Sequence, residues 1–402
     1  MDTFDAHELA RWSAGSWTGP RPGNVSGFCI DSRVLQPGDL FVALPGDKAD
    51  GHAYLPQAHT RGASAALVRR GTPPCGLPLL EVEDPRRALR DLAAGYRALL
   101  KARFVAVTGS SGKTTVKEMI ADVLATQAPT ARTKGNWNND LGLPLSLLAM
   151  SRRDVYGVFE VGMNHPGELE PLCELLRPHC SVVSSVGPVH LEFFPDEAGI
   201  AHEKAAVLRA LAPEGLAVLP ADDPWVDVLR SHLRSRLLLT SLKGRPADYE
   251  ATRLPGDRFL VRERATGAQV ELVAPLPGDY IVHDALLAVA VGRYFGVSWD
   301  GIRAAVAAYR PLSLRWQREE AEGVHFIVDA YNANPMSMRA ALQAFGQTAA
   351  DRRWLVLAAM RELGERAREE HLRLGRSLAG GPWAGLVTVG EEGAWIAEGA
   401  AP

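Results

Sequence analysis

Lysine is scarce in this chain, with seven in 402 residues. Cysteine is scarcer still, at four: Cys29, Cys75, Cys173 and Cys180. They form no Cys-x-x-Cys pair and no zinc spacing, which excludes a disulfide frame and a zinc-ribbon site; they read as reduced thiols. An excess of one charge is also missing. Lys+Arg is 44 and Asp+Glu 47, a net charge of −3. That balance gives no support to general nucleic-acid binding, but it allows an anionic small ligand held by a few local cations. No apolar run approaches the roughly 18 residues of a membrane span. The acidic start Met1-Asp2-Thr3-Phe4-Asp5 lacks the apolar stretch of a signal peptide, so a cytoplasmic protein is expected.

What is present is an ordinary globular composition, 47% hydrophobic and 23% charged. The length suggests two to four domains. Short apolar strands broken by turns, such as Asp39–Leu44 and Ala65–Val68, precede a one-face helical pattern from Pro85 to Leu100. This reads as a small α/β domain over 1–100. A second region, 101–310, opens with the strand Phe104–Val107, a glycine turn, and a helix from Lys113. Its apolar residues Val116, Met119, Ile120, Val123 and Leu124 form a core-facing stripe. Strands at Tyr156–Val161, Ser181–Val186 and Leu216–Leu219 alternate with helical stretches, the pattern of a doubly wound, mostly parallel sheet. Residues 248–273 read as antiparallel strands, and a helix is predicted over His283–Phe295. A third unit, 311–402, has strands at Val324–Val328, Trp354–Leu357 and Leu386–Val389. One helix opens at Asn334-Pro335, with Asn as cap and Pro as first helical residue, and another covers Ala367–Leu378.

The strongest chemical signal is Thr108-Gly109-Ser110-Ser111-Gly112-Lys113-Thr114-Thr115, between a buried strand and an amphipathic helix. Backbone N–H groups of such a turn and of the helix N-terminus converge on an anion. Lys113 would neutralise the β/γ-phosphates and the Thr114 hydroxyl would bind Mg²⁺. The first glycine of the longer phosphate-loop pattern is replaced by Val107. Glu160 ends a buried strand and needs either a satisfying partner or a metal; beyond the strands' C-terminal ends it would face the ligand crevice. His190, in Gly187-Pro188-Val189-His190, is either a metal ligand at the same sheet edge or a surface residue. Lys204, by its local pattern alone, is a solvated helix lysine.

Taken together, these motifs resemble the Mur ligases. The resemblance is carried by Ile30-Asp31-Ser32-Arg33, Asp50-Gly51-His52, the phosphate loop, Gly135-Asn136-Trp137-Asn138-Asn139-Asp140 and Glu160–Glu168. In the third unit it is carried by Asp329-Ala330-Tyr331-Asn332-Ala333-Asn334-Pro335 and Met360-Arg361-Glu362-Leu363-Gly364. It implies an α/β protein of three domains: a UDP-muropeptide-binding N-terminal domain, a central P-loop ATP-binding domain and a C-terminal Rossmann-like domain. The Tyr331–Pro335 and Asn164–Glu168 runs imply a ligase that uses ATP to join D-alanyl-D-alanine to UDP-N-acetylmuramoyl-tripeptide through an acyl phosphate. The alternative is a non-catalytic or altered-specificity paralogue on the same fold.

The resemblance also implies residue roles. ATP would be held by Gly109 to Thr115, Asn138, Asn139, Arg315 and Asp329. Mg²⁺ would be held by Thr114, Glu160, His190 and a carbamylated Lys204, with Lys113, Lys204 and His190 catalytic. Substrates would be held by Ser32, Arg33, Asn164, His165, Tyr331, Asn332 and Asn334. The expected molecule is a monomer without nucleic-acid or membrane partners. The chain departs from the family pattern where asparagines become Ile281 and Asp284, where a glycine becomes Leu314, and where Ala205-Ala206 follow Lys204. The third unit is also shorter than the resemblance implies, and it lacks a late Lys-Gly-Ser-Arg segment, so an incomplete closing domain is expected.

Overall fold

The computed structural model describes residues 3–46 and 49–401. The first two residues of the acidic N-terminus and Pro402 lie outside them. The chain divides into two compact units, one of Met1–Phe104, Pro129–Phe159 and Glu174–Arg177, the other of Val105–Ala128, Glu160–Cys173 and Pro178–Pro402.

The first unit contains a five-stranded sheet in the order Ser16–Thr18, Leu79–Val82, Ala65–Arg69, Asp39–Val42, Gly27–Cys29. All its pairings are parallel except that of the Ser16–Thr18 edge strand. Leu35, Phe41, Leu55, Ala66, Val68 and Leu79 build one core beside it. The helix Pro85–Leu99 starts where expected because the Asp84 side chain accepts from Arg86 N at 2.8 Å and Pro85 needs no donor partner. It buries Leu89, Leu92, Ala93 and Tyr96. In the same unit Thr130–Arg132 pairs in parallel with Tyr156–Glu160.

The second unit is built on seven strands lying side by side: Arg103–Thr108, Cys180–Val183, Leu216–Pro220, Arg236–Ser241, Tyr249–Arg253, Arg258–Glu263 and Gln269–Val273. The first five run parallel. The last two turn back antiparallel, at the Gly256-Asp257 and Thr266-Gly267 turns that the sequence marks. On the other side of the first strand, Val161 N–H donates to Val107 O at 2.9 Å. The first three of these strands are buried almost without alternation, as expected of a parallel sheet covered on both faces, whereas Arg258–Glu263 and Gln269–Val273 alternate buried with exposed residues, as antiparallel strands with one solvated face do. The helix Lys113–Ala125 packs its Val116, Met119, Ile120 and Val123 stripe into this core, and the helix Asp279–Tyr294 lies against it. That second helix starts at Asp279, four residues before the predicted His283.

The later part of this unit holds an antiparallel hairpin, Gln317–Ala321 with Val324–Val328, and a parallel pair, Trp354–Ala358 with Gly385–Val389. The helices Pro335–Gly346, Ala367–Leu378 and Glu391–Ala400 enclose a core of Leu342, Leu355, Met360, Leu363, Leu374 and Ile396. Trp354, Val356, Val387 and Val389 of the parallel pair stay exposed.

Candidate functional site

The strand Arg103–Thr108 delivers the chain into the phosphate loop. Gly109 and Gly112 are required there, not merely tolerated. Gly109 sits at φ 153, and a Cβ on it would lie 2.0 Å from Ser184 Oγ. Gly112 sits at φ 82, and its Cβ would lie 2.8 Å from Asp284 Oδ1. The loop is locked from the next strand: Ser110 N donates to Ser185 O at 2.8 Å, Ser110 Oγ to Gly187 O at 3.0 Å, and Ser185 Oγ to Ser111 O at 3.1 Å. Sequence reasoning missed Ser184 and Ser185. The apolar run predicts a strand reaching Val186, but the ladder stops at Val183 and the hydroxyls of Ser184 and Ser185 turn to the loop. A Ser-Ser pair just past an apolar run was the available signal.

Lys113 Nζ donates to Gly109 O at 2.8 Å. Desolvation pulls its pKa below that of an ordinary lysine, with Glu160 opposing and Arg315 reinforcing. Thr114 donates from Oγ1 to Glu160 Oε2 at 2.8 Å, and Arg315 donates to the same Thr114 oxygen at 3.0 Å. Glu160 is 2% exposed. Arg315 also lies over the Tyr331 ring at 4.0 Å, so one guanidinium brings Thr114 and Tyr331 together. Thr115 hydrogen-bonds the buried Tyr309 hydroxyl. Leu314, standing where the family pattern has glycine, still adopts the left-handed backbone at φ 61. The chain keeps the bend without the residue that best suits it.

Lys204 corrects the local reading. It ends the helix Glu197–Lys204 and is 1% exposed, not solvated, because Ile200, Ala201 and Ala205–Leu208 turn that face inward. Burial, then Lys113, push its pKa well below the lysine range, and Glu203 partly opposes them. His190 Nδ1 lies 2.5 Å from Glu362 Oε2. Burial lowers the His190 pKa against the pull of Glu362.

The remaining expected residues are placed as follows. Asn164 and His165 sit on an exposed turn, where Glu168 accepts from both their N–H groups and the His165 ring packs on Phe193 at 4.2 Å. Glu203 accepts from Gly167 N at 3.0 Å and Leu169 N at 3.1 Å on the same turn. Asn334 is engaged as a helix cap, accepting from Met336 N and Ser337 N, and Asn332 accepts from Ala333 N. Asp329 accepts from Trp316 N at 3.4 Å. Ser32, Arg33, Asn138 and Asn139 belong to the first unit. There Ser32 donates to Gln57, Arg33 pairs with Asp31, and Asn139 accepts from Gly142 N.

Asp284 is buried against Gly112, with His283 at 3.5 Å. Burial raises its pKa, with His283 and Arg315 opposing. The folded state therefore holds this proton more tightly than the unfolded chain. Its contribution to stability falls as pH rises from the unfolded carboxyl value through the raised one. Asp284→Asn is expected to raise the melting temperature at neutral pH by roughly 2–4 °C, a gain that vanishes in acid. It should also tighten nucleotide binding several-fold by removing a negative charge beside the phosphate loop. Thermal melts and nucleotide titrations across pH check both.

A strand, a glycine turn and a helix N-terminus, with lysine, threonine and a strand-end carboxylate converging on one spot, define a P-loop nucleotide site. Comparison with known proteins narrows the class. The Mur ligase middle domain matches residues 107–292, the Mur ligase family catalytic domain 24–97, and the Mur ligase, glutamate ligase domain 314–402. The Escherichia coli UDP-N-acetylmuramoyl-tripeptide--D-alanyl-D-alanine ligase is 36% identical over 90% of this chain and 80% of its own length. The crystal structure of MurF from Acinetobacter baumannii superposes with a TM-score of 0.91 at 32% identity, over 99% of this chain and 88% of that one. MurF ligase from Thermotoga maritima in complex with ADP gives 0.81 at 27% identity, over 92% and 86%. The chain belongs to the Mur ligase family.

Proposed function

We propose that the chain is the ligase that adds D-alanyl-D-alanine to UDP-N-acetylmuramoyl-tripeptide, acting as a cytoplasmic monomer in peptidoglycan precursor synthesis. The observation that carries this reading is the pair of buried lysines, Lys113 and Lys204, beside a loop of backbone donors: burial lowers the pKa of both, and the charge of Lys113 lowers that of Lys204 further. Such a site is unfavourable until anions enter it. The named relatives supply the substrate class. No helix among the described residues is long and apolar enough to cross a membrane. The working division is 1–100 for the UDP-muropeptide, 101–310 for ATP, and 311–402 for the closing ligase domain.

The tripeptide's terminal carboxylate is a poor electrophile. One of its oxygens attacks the γ-phosphorus of ATP, the bond to the bridging oxygen breaks, and ADP leaves. The amine of D-alanyl-D-alanine then attacks the acyl carbon, loses a proton, and inorganic phosphate departs as the amide forms. Lys113, the loop N–H groups and Arg315 hold the phosphates and offset the repulsion between two approaching anions. Among the described residues no three His, Cys, Asp or Glu side chains converge as a metal cluster. Thr114 Oγ1 and Glu160 Oε2 nevertheless form a buried oxygen pair, which fits the few protein oxygens that Mg²⁺ takes alongside phosphates. With His190 and a carbamate on Lys204 they would hold Mg²⁺, which supplies charge neutralisation on the phosphoryl oxygens. Ser32, Arg33, Asn164, His165, Tyr331, Asn332 and Asn334 would hold the substrates, and Asn138, Asn139 and Asp329 the nucleotide.

A phosphate-release assay with each substrate omitted in turn tests the reading. Release is expected only when ATP, the muropeptide and D-alanyl-D-alanine are all present. Glutamate addition to a folate without D-alanyl-D-alanine addition would overturn it.

A further inference from the structure

We propose that Glu362 is a positioning residue for His190: it accepts the Nδ1 proton of the ring and so leaves the Nε2 lone pair free as the ligand atom. The ligand role of His190 rests on the function proposed above; the hydrogen bond does not. Glu362 lies in the turn Met360–Gly364, 172 residues further along the chain, so a late segment completes a site that the phosphate loop begins.

Three observations carry the inference. The first is the contact itself, Nδ1 to Oε2 at 2.5 Å. An ionised carboxylate only accepts, so the proton between them belongs to Nδ1, and the neutral ring keeps its free lone pair on Nε2. The second is the bracing around it. Glu192 N donates to Glu362 O at 3.2 Å, and a Cβ on Gly364 would stand 3.1 Å from Glu192 Cα, so the turn is seated with little room to slide. Phe193 N and Phe194 N both donate to His190 O, at 2.9 and 3.2 Å, which fixes the backbone that carries the ring.

The third is strain. His190 sits at φ 55 and Glu362 at φ 62. Left-handed backbone is unfavourable for a residue with a side chain. The Glu362 side chain is 44% exposed, and an exposed ion pair stabilises a fold little, so stability alone does not account for two such residues meeting here. Strain of this kind persists where the surrounding structure over-determines it, which is common at functional sites. Orienting a ligating imidazole through a carboxylate on its second nitrogen is a role that geometry of this type serves.

Long-range ¹⁵N–¹H correlation spectra of the metal-free, nucleotide-free protein test the proposal without any turnover. In the unsubstituted protein His190 is expected to show a protonated Nδ1 and an unprotonated Nε2. Glu362→Ala is expected to move the proton to Nε2, while Glu362→Gln, which keeps an acceptor oxygen, retains the original tautomer. A protonated Nε2 in the unsubstituted protein, or an unchanged tautomer in Glu362→Ala, would overturn the proposal. Melting curves of the Gln variant, expected to match the unsubstituted protein, separate positioning from a general loss of fold. Titration with Mn²⁺ alone, read by electron paramagnetic resonance, addresses the ligand role. Glu362→Ala should weaken binding at least about tenfold, and His190→Ala at least as much. If His190→Ala binds Mn²⁺ like the unsubstituted protein, the ligand assignment fails, while the spectra still decide the Glu362 contact on its own terms.

Discussion

Lys113→Ala is expected to cut ATP-dependent phosphate release by at least about a thousandfold and to leave the fold intact. Among the described residues Lys113 Nζ donates to no carboxylate; it rests on the carbonyl of Gly109, four residues back in its own loop. The ammonium is thus held in reserve against a desolvated setting. No other lysine sits in the loop, and Arg315 is engaged with Thr114 and Tyr331. Loss of Lys113 therefore removes the one cation the loop itself supplies, and leaves Arg315 to offset the phosphates alone. Stability responds in the opposite sense. A lysine whose folded-state pKa is lowered holds its proton less tightly in the folded than in the unfolded state. It opposes folding at pH values below the unfolded lysine value, and this opposition fades as pH rises through the window between the two. The alanine protein should melt no earlier than the parent at neutral pH. Phosphate release and a thermal melt on the same preparation check both halves; near-normal ligation would sink the phosphate-loop assignment.

Lys204→Ala is expected to be nearly inactive and partly restored by short-chain carboxylates such as formate or acetate. A lysine 1% exposed, with burial and Lys113 both driving its pKa down, has a larger neutral fraction than a surface lysine. The neutral amine is the form that adds carbon dioxide; the product is an anion, which the neighbouring Lys113 would stabilise. Truncation to alanine leaves a space where a small carboxylate can stand in for that anion. Activity against carboxylate concentration is the measurement. An unaffected Lys204→Ala protein would remove the carbamate, and inactivity without rescue at any concentration would count against it.

The phosphate loop was legible in the sequence because its parts are contiguous. Strand, glycine turn, lysine and helix stripe span one short run, and each obeys a local rule. The same is true of the Asn334 cap and of the antiparallel turns at Gly256-Asp257 and Thr266-Gly267. Lys204 was not legible, since nothing in Ala201–Ala205 says which face turns inward until the sheet is in place. The roles of Ser184 and Ser185 depend on where the loop comes to lie beside them, and that of Glu362 on a partner 172 residues away. Asp284 was visible only as a departure from a pattern; its approach to Gly112 is a product of two packed helices. The early start of that helix at Asp279 was missed because no capping side chain marks it: Gly278 stands at the cap position.

The turn from Asn164 to Leu169 has a thermodynamic consequence. Four of its backbone N–H groups, those of Asn164, His165, Gly167 and Leu169, already donate to Glu168 or Glu203. Its amide protons should therefore exchange with solvent slowly for an exposed turn. A ligand arriving there meets a backbone whose entropy was surrendered during folding, so that loss need not be deducted from its binding free energy.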